Sequence, residues 1–108
     1  MCCQSACHHQ LLEVKMLEKT IEKKLTQEIK KINGLCLKFI SPGFNGVPDR
    51  LILLSGGVCF FVETKAPGKK PRPIQVKRKR QLEKLGFKVY IIDSVEQIGG
   101  IIDEIHTT

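Results

Sequence analysis

Asp49, Glu63 and Lys65 are the residues whose types and spacing most directly suggest chemistry. Asp49 precedes one apolar run, Arg50-Leu51-Ile52-Leu53-Leu54, and Glu63-Thr64-Lys65 follows another, Val58-Cys59-Phe60-Phe61-Val62. Ser55-Gly56-Gly57 between them is a tight hairpin signal. If Leu54 pairs with Val58 across a three-residue loop, the register carries back to Asp49 opposite Glu63, with side chains about 5 Å apart on one face. Lys65, two residues beyond Glu63, points to the same face. A two-residue loop would set Asp49 opposite Thr64 instead. Two facing carboxylates on an apolar hairpin repel, and a proton or a cation must resolve the conflict. Lys65 alone can do so as part of a structural ion cluster. The functional alternative is a Mg²⁺ or Mn²⁺ site built on Asp49 and Glu63, with the backbone carbonyl of Thr64 as a further oxygen ligand. Lys65 would then orient water or offset charge on a phosphate.

The surrounding pattern supplies elements to position these groups. Leu17, Ile21, Leu25, Ile29 and Ile32 recur at helical spacing from Met16 onward. Asn33-Gly34 ends that helix. Leu35 to Ile40 reads as a strand and Ser41 to Pro48 as a loop. Residues 50–54 and 58–62 are the hairpin strands, and Ala66 to Pro73 is a second loop. Ile74 to Leu85 reads as a helix stopped by Gly86, followed by a strand over Phe87 to Ile92. Ser94 and Gln97 form a capping box for a last helix through Ile105, although Gly99-Gly100 weakens it. Hairpin strands that are apolar on both faces require helices on each side. The expected fold is therefore α/β, a three-layer sandwich.

Residues 1–15 differ from the rest. Cys2, Cys3, Cys7, His8 and His9 are zinc-ligand types, but structural zinc sites use two separated pairs and no second pair follows. The head reads as a disordered or non-native extension, with one domain over residues 16–108. No apolar run is long enough to span a bilayer or serve as a signal peptide, so no membrane association is expected. Five cysteines without framework spacing favour a reducing, cytoplasmic setting.

The formal net charge is +7, and it is unevenly spread. Lys65, Lys69, Lys70, Arg72, Lys77, Arg78, Lys79 and Arg80 fall in a stretch without an acidic residue. A phosphate polyanion relieves such self-repulsion by releasing its own counterions. A solvated face that binds nothing is the plainer possibility. Lys38, just before the loop that leads to Asp49, either contacts phosphate or sits at a sheet edge.

Gly46-Val47-Pro48-Asp49-Arg50, then Phe61-Val62-Glu63-Thr64-Lys65-Ala66-Pro67-Gly68, then Gln75 resemble the VRR-NUC domain, the virus-type replication-repair branch of the PD-(D/E)XK nucleases. The resemblance covers roughly Met16 to Ile98. It implies an αβββαβα restriction-endonuclease-like core with a mixed central sheet. It further implies that Asp49 and Glu63 hold the metal with Lys65 beside them, that Glu22 reaches the metal through water, and that Gln75 assists from the following helix. Stand-alone members resemble Holliday-junction resolvases, pair as homodimers and are often of bacterial phage or prophage origin. On that basis the expected function is a Mg²⁺- or Mn²⁺-dependent endonuclease acting on branched DNA, such as four-way junctions or flaps. On the residues alone, a Glu22 on a Lys-rich helix shared with Glu18 and Glu28 would be a solvated surface group.

No serine or cysteine nucleophile is placed to meet the barrier of phosphodiester hydrolysis, which demands on the order of 20 kcal/mol of stabilisation. A restriction-type nuclease needs a major-groove reader, for which the chain has little room. The same residues are compatible with a non-catalytic DNA-binding module and with a basic RNA-binding protein. Gly43-Phe44-Asn45-Gly46 matches the GxxG loop of KH domains, but that loop joins helices and this one lies between strands. Phe44 is instead a candidate to wedge against a base.

Overall fold

Residues that alternate or recur on one face dictate where each element buries itself. In the computed structural model, which describes residues 2–107 and the side chains of residues 17–106, the order is α1 (Cys2–Lys31), β1 (Leu35–Lys38), β2 (Arg50–Leu54), β3 (Val58–Thr64), α2 (Pro73–Lys84), β4 (Lys88–Ile92) and α3 (Glu96–Thr107). The α/β class and the αβββαβα order expected from the sequence are both present. The α1 backbone is helical well before Met16. The Cys2, Cys3, Cys7, His8 and His9 side chains lie outside the described residues.

The four strands form one mixed sheet in the order β1-β2-β3-β4. β1, β2 and β3 are antiparallel neighbours, and β4 runs parallel to β3. Leu54 pairs with Val58, so the three-residue-loop register holds and the two-residue register is excluded. Glu63 pairs with Ile91 and Thr64 with Ile92, which extends β3 past Val62 and fixes the backbone of the Glu-x-Lys segment inside the sheet. The Lys65 N–H continues this by donating to the Ile92 carbonyl at 2.8 Å.

One sheet face is covered by α1 and α3. Ile21, Leu25 and Ile29 of α1 meet Ile52, Phe60, Val62 and Ile92 of the sheet and Ile98 and Ile101 of α3 in a single core. The 3–4 spacing of the α1 residues produces that stripe. Asn33, with φ of 62°, ends the helix in the left-handed conformation. At the start of α3, Gln97 Oε1 accepts the N–H groups of Asp93 and Ser94 at 2.7 and 3.2 Å, the return half of the expected capping box.

The opposite face carries Phe61, whose ring packs against Phe39 and Phe87. α2 covers only part of it, nearest β4. Leu35, Leu37 and Phe87 remain exposed, so the second outer layer is incomplete.

Candidate active site

Alternation along β3 splits its polar end between the two faces. Thr64 shares the parity of Phe60 and Val62 and is fully buried on the α1 side. Glu63, only 7% exposed, shares the parity of Phe61 and points to the α2 side. Asp49 stands just before β2, and its backbone carbonyl accepts the Phe39 N–H at 2.8 Å. Its carboxylate turns toward Thr64, with Oδ1 accepting the Thr64 N–H at 3.0 Å and Oδ2 lying 2.6 Å from the Thr64 hydroxyl. The expected register is therefore present, but the Asp49 carboxylate bonds to Thr64 rather than simply facing Glu63 across the hairpin. The strand ladder has stopped at Arg50–Val62, which frees Asp49 from the strict alternation that the expectation assumed.

Glu22 enters from α1. Its Oε1 lies 3.0 Å from the same Thr64 hydroxyl, and its Oε2 lies 3.5 Å from the Arg50 guanidinium. A hydroxyl has one proton to give, so it donates to only one of two carboxylates at a time. The second close contact requires a proton on a carboxyl, or a cation. Glu18 lies one helical turn before Glu22, and carboxylate oxygens of Glu18, Glu22 and Asp49 all lie within 4.8 Å of one another.

The titration of these groups reflects that crowding. Burial pushes the Asp49 carboxyl up to about 6, aided by its hydrogen bond and charge repulsion with Glu22, while the Thr64 hydrogen bonds partly oppose the rise. Burial also works to raise Glu22, but its hydrogen bonds with Asp49 and Thr64 and the Arg50 guanidinium outweigh it and hold that carboxyl below the usual value. Burial, then repulsion from Asp49, lifts Glu63 to about 7, against the pull of Lys65. Asp49 and Glu63 thus hold their protons to higher pH than ordinary carboxyls, whereas Glu22 gives its own up sooner.

Glu63 has its own partners on the α2 side. Lys65 Nζ lies 3.9 Å from Glu63 Oε1, and Gln75 Nε2 donates to the same oxygen at 3.3 Å. The other end of the Gln75 amide accepts the Arg72 N–H at 2.8 Å. Gln75 therefore caps the start of α2 while it reaches the buried carboxylate.

No family model matches the chain. Over 77 residues it is 51% identical to "Putative nuclease p44" of Acyrthosiphon pisum secondary endosymbiont phage 1, a match covering 71% of this chain and 83% of the relative. A solved structure described as a VRR_NUC domain aligns with a TM-score of 0.76 at 31% identity, covering 81% of this chain and 95% of that one.

This chain belongs to the VRR-NUC family. In this VRR-NUC chain the structure links Asp49, Thr64 and Glu22 by direct contact, and Glu63, Lys65 and Gln75 by a second set of contacts one residue away along β3. Three features were not assigned from the sequence: Glu18 as a neighbour of the carboxylates, Arg50 as the partner of Glu22, and the Thr64 side chain as the hub. The four-residue offset between Glu18 and Glu22 was the available signal for the first. The alternation that sets Thr64 on the face of Phe60 and Val62 was the available signal for its burial.

The basic segment is divided by the fold. Lys69, Lys70 and Arg72 are exposed in the loop before α2. Lys77, Arg80 and Lys84 line an open concavity along α2, together with Pro73, Val76 and Gln81. Lys79 is tied to Glu83 at 3.1 Å. Arg78 turns inward, donating from Nε to the Asn45 carbonyl at 2.6 Å. Lys38 is exposed on the edge strand β1, paired with Arg50.

Among the described residues, no helix is long and apolar enough to cross a membrane.

Proposed function

We propose that this VRR-NUC chain is a metal-dependent, structure-specific endodeoxyribonuclease that hydrolyses phosphodiester bonds in branched DNA, four-way junctions or flaps. The single observation that carries the reading is the Thr64 hydroxyl shared by the carboxylates of Asp49 and Glu22, with Glu18 adjoining. That arrangement has more acceptors than protons and calls for a cation. The donor set is entirely oxygen, which suits Mg²⁺ or Mn²⁺ better than softer metals. Asp49 and Glu63 with the Thr64 carbonyl would hold the ion, and Glu22 would act through water, as the family resemblance implies, although in the structure the Asp49 carboxylate groups with Glu22 and Glu18 rather than with Glu63. Glu18 adds a further carboxylate within reach of the group. A bound divalent ion supplies Lewis-acid polarisation of the phosphate and a lowered pKa for water.

The protein's own groups do the remainder. Lys65, mostly buried beside Glu63, places a positive charge where negative charge builds on the phosphate. Gln75 holds Glu63 in place. Lys69, Lys70, Arg72, Lys77 and Arg80 contact the DNA backbone and position it without reading bases, with Lys79 and Lys38 as flanking charges. The activity is assigned to residues 16–108, with residues 1–15 an extension that it does not use. Exposed Leu35, Leu37 and Phe87 offer apolar surface for pairing as a homodimer, which light scattering at twice the chain mass would register. A cytoplasmic setting in a bacterial host accords with the phage source of the relative.

The decisive assay incubates labelled four-way-junction and linear DNA with Mg²⁺ or Mn²⁺, and in EDTA. Junction cleavage that EDTA abolishes is expected. Binding without cleavage under every metal condition would make the chain a DNA-binding module, and faster cutting of one linear sequence would make it a restriction-type enzyme.

A further inference from the structure

Phe44 lies at the tip of the loop that leads into Asp49. The loop is closed at its foot by the Phe39 N–H and the Asp49 carbonyl, and a turn forms at its tip where the Phe44 N–H donates to the Ser41 carbonyl at 3.1 Å. Gly46, at φ of +88°, presses this loop onto α2, where an added Cβ would meet the Ile74 carbonyl oxygen at 2.9 Å. The Arg78 guanidinium then stands 3.7 Å from the centre of the Phe44 ring. That guanidinium is itself fixed, donating to the Asn45 carbonyl at 2.6 Å and to Gln81 Oε1 at 2.9 Å. The result is a large aromatic ring that is rigidly backed by a cation yet 44% exposed.

We propose that Phe44 is a stacking plate for an unpaired nucleobase, and that it selects branched or frayed DNA over continuous duplex. This assignment rests on the nuclease reading and names the substrate feature which that site takes. Every base has a π-face, so stacking on Phe44 is tolerant of sequence. In continuous duplex, neighbouring bases already occupy both faces, and only a branch, a flap or an end leaves one open. Arg78 contributes a second planar, cationic surface at the same spot. Phe44 precedes Asp49 by so few residues that the chain between them spans at most about 17 Å. A base held at the loop tip therefore lies within a few nucleotides of the carboxylates. Lys77 and Arg80 line an open concavity elsewhere on α2, the helix that carries Arg78, and supply charge for the strand that continues from the base.

The test uses the full chain in EDTA, so that binding is read without cleavage. The probes are a continuous duplex and a flap duplex of the same sequence, with 2-aminopurine as the unpaired base at the flap. The wild-type chain is expected to prefer the flap and to quench the 2-aminopurine emission. Phe44→Ala should lower flap affinity by roughly tenfold, leave duplex affinity unchanged and restore the emission. Phe44→Leu, which keeps apolar bulk and so guards against a folding defect, should behave as Phe44→Ala. Phe44→Trp should keep both the preference and the quenching. If the leucine variant retains the wild-type preference and quenching, the stacking assignment is wrong while the nuclease reading stands. If the wild-type chain binds neither DNA, the nuclease reading falls and the assignment falls with it.

Discussion

Arg50 and Glu22 join the strand that follows Asp49 to helix α1, with guanidinium and carboxylate 3.5 Å apart in a mostly buried setting. Arg50 Nε is buried without a hydrogen-bond partner, so the guanidinium is held for its charge on Glu22 rather than for a complete set of bonds. Arg50→Ala leaves Glu22 facing Asp49 and Glu18 with no compensating charge. The expected loss is roughly 1–2 kcal/mol, between the values for exposed and buried pairs. Thermal melts of the metal-free protein should show a drop of several degrees. A manganese titration of cleavage should shift to higher concentration, because Glu22 is no longer fixed. An unchanged melting temperature together with an unchanged titration would remove Arg50 from this role.

Asp49→Asn separates stability from activity. The amide relieves the carboxylate conflict at Thr64 and can donate where Asp49 must hold a proton. The metal-free variant should melt at or above the wild-type temperature at pH 7, while cleavage falls by more than about a hundredfold through loss of a metal ligand. DNA binding in EDTA should be retained. A variant that melts well below wild type would show that Asp49 serves mainly as a structural acceptor for Thr64.

The buried carboxyls impose a pH dependence of definite sign. Burial, the first cause of both shifts, pushes the Asp49 and Glu63 carboxyls up to about 6 and about 7 in the folded chain, from ordinary values of 3.8 and 4.5. Between those limits the folded protein holds more protons than the unfolded one. Their contribution to stability is complete below about pH 4 and is lost as the pH rises to about 7. The melting temperature of the metal-free protein, compared with an Asp49→Asn/Glu63→Gln double variant, should decline through that window. Saturating Mn²⁺ should flatten the decline, because the ion replaces the proton. Parallel profiles for the two metal-free proteins would contradict the assignment.

Charge along α2 should be legible in salt dependence. Lys77 and Arg80 border an open concavity, whereas Lys79 is held by Glu83. Each of Lys77→Ala and Arg80→Ala is expected to reduce the slope of log affinity against log salt by about one. Lys79→Ala should reduce it by less. Anisotropy measured across a salt series distinguishes them, and equal effects from all three would mean that the Lys79–Glu83 pair dissolves on DNA.

The hairpin was readable because Ser55-Gly56-Gly57 separates two apolar strands, but its register was open between a two- and a three-residue loop until Leu54 was seen to pair with Val58. The α1 terminus was readable because Asn33 and Gly34 can adopt conformations that other residues avoid. The direction of the Asp49 carboxylate was not readable. It depends on the ladder ending at Arg50 and on a backbone bond from Phe39, neither of which leaves a mark on local pattern. The inward turn of Arg78 was hidden for a similar reason. Its partners, Phe44 and Asn45, belong to a loop far away in the sequence, and a run of basic residues looks uniform until a tertiary contact divides it.

Gly46 has no room for a side chain, because its backbone meets that of Ile74. A seam made of two main chains is insensitive to which side chains surround it, yet it cannot be widened by even one methyl group. The segment that delivers the acidic residue and the helix that bears the positive charge are consequently locked into one rigid piece. Sequence drift can alter the loop tip or the helix surface separately, but it cannot shift one of these two parts against the other.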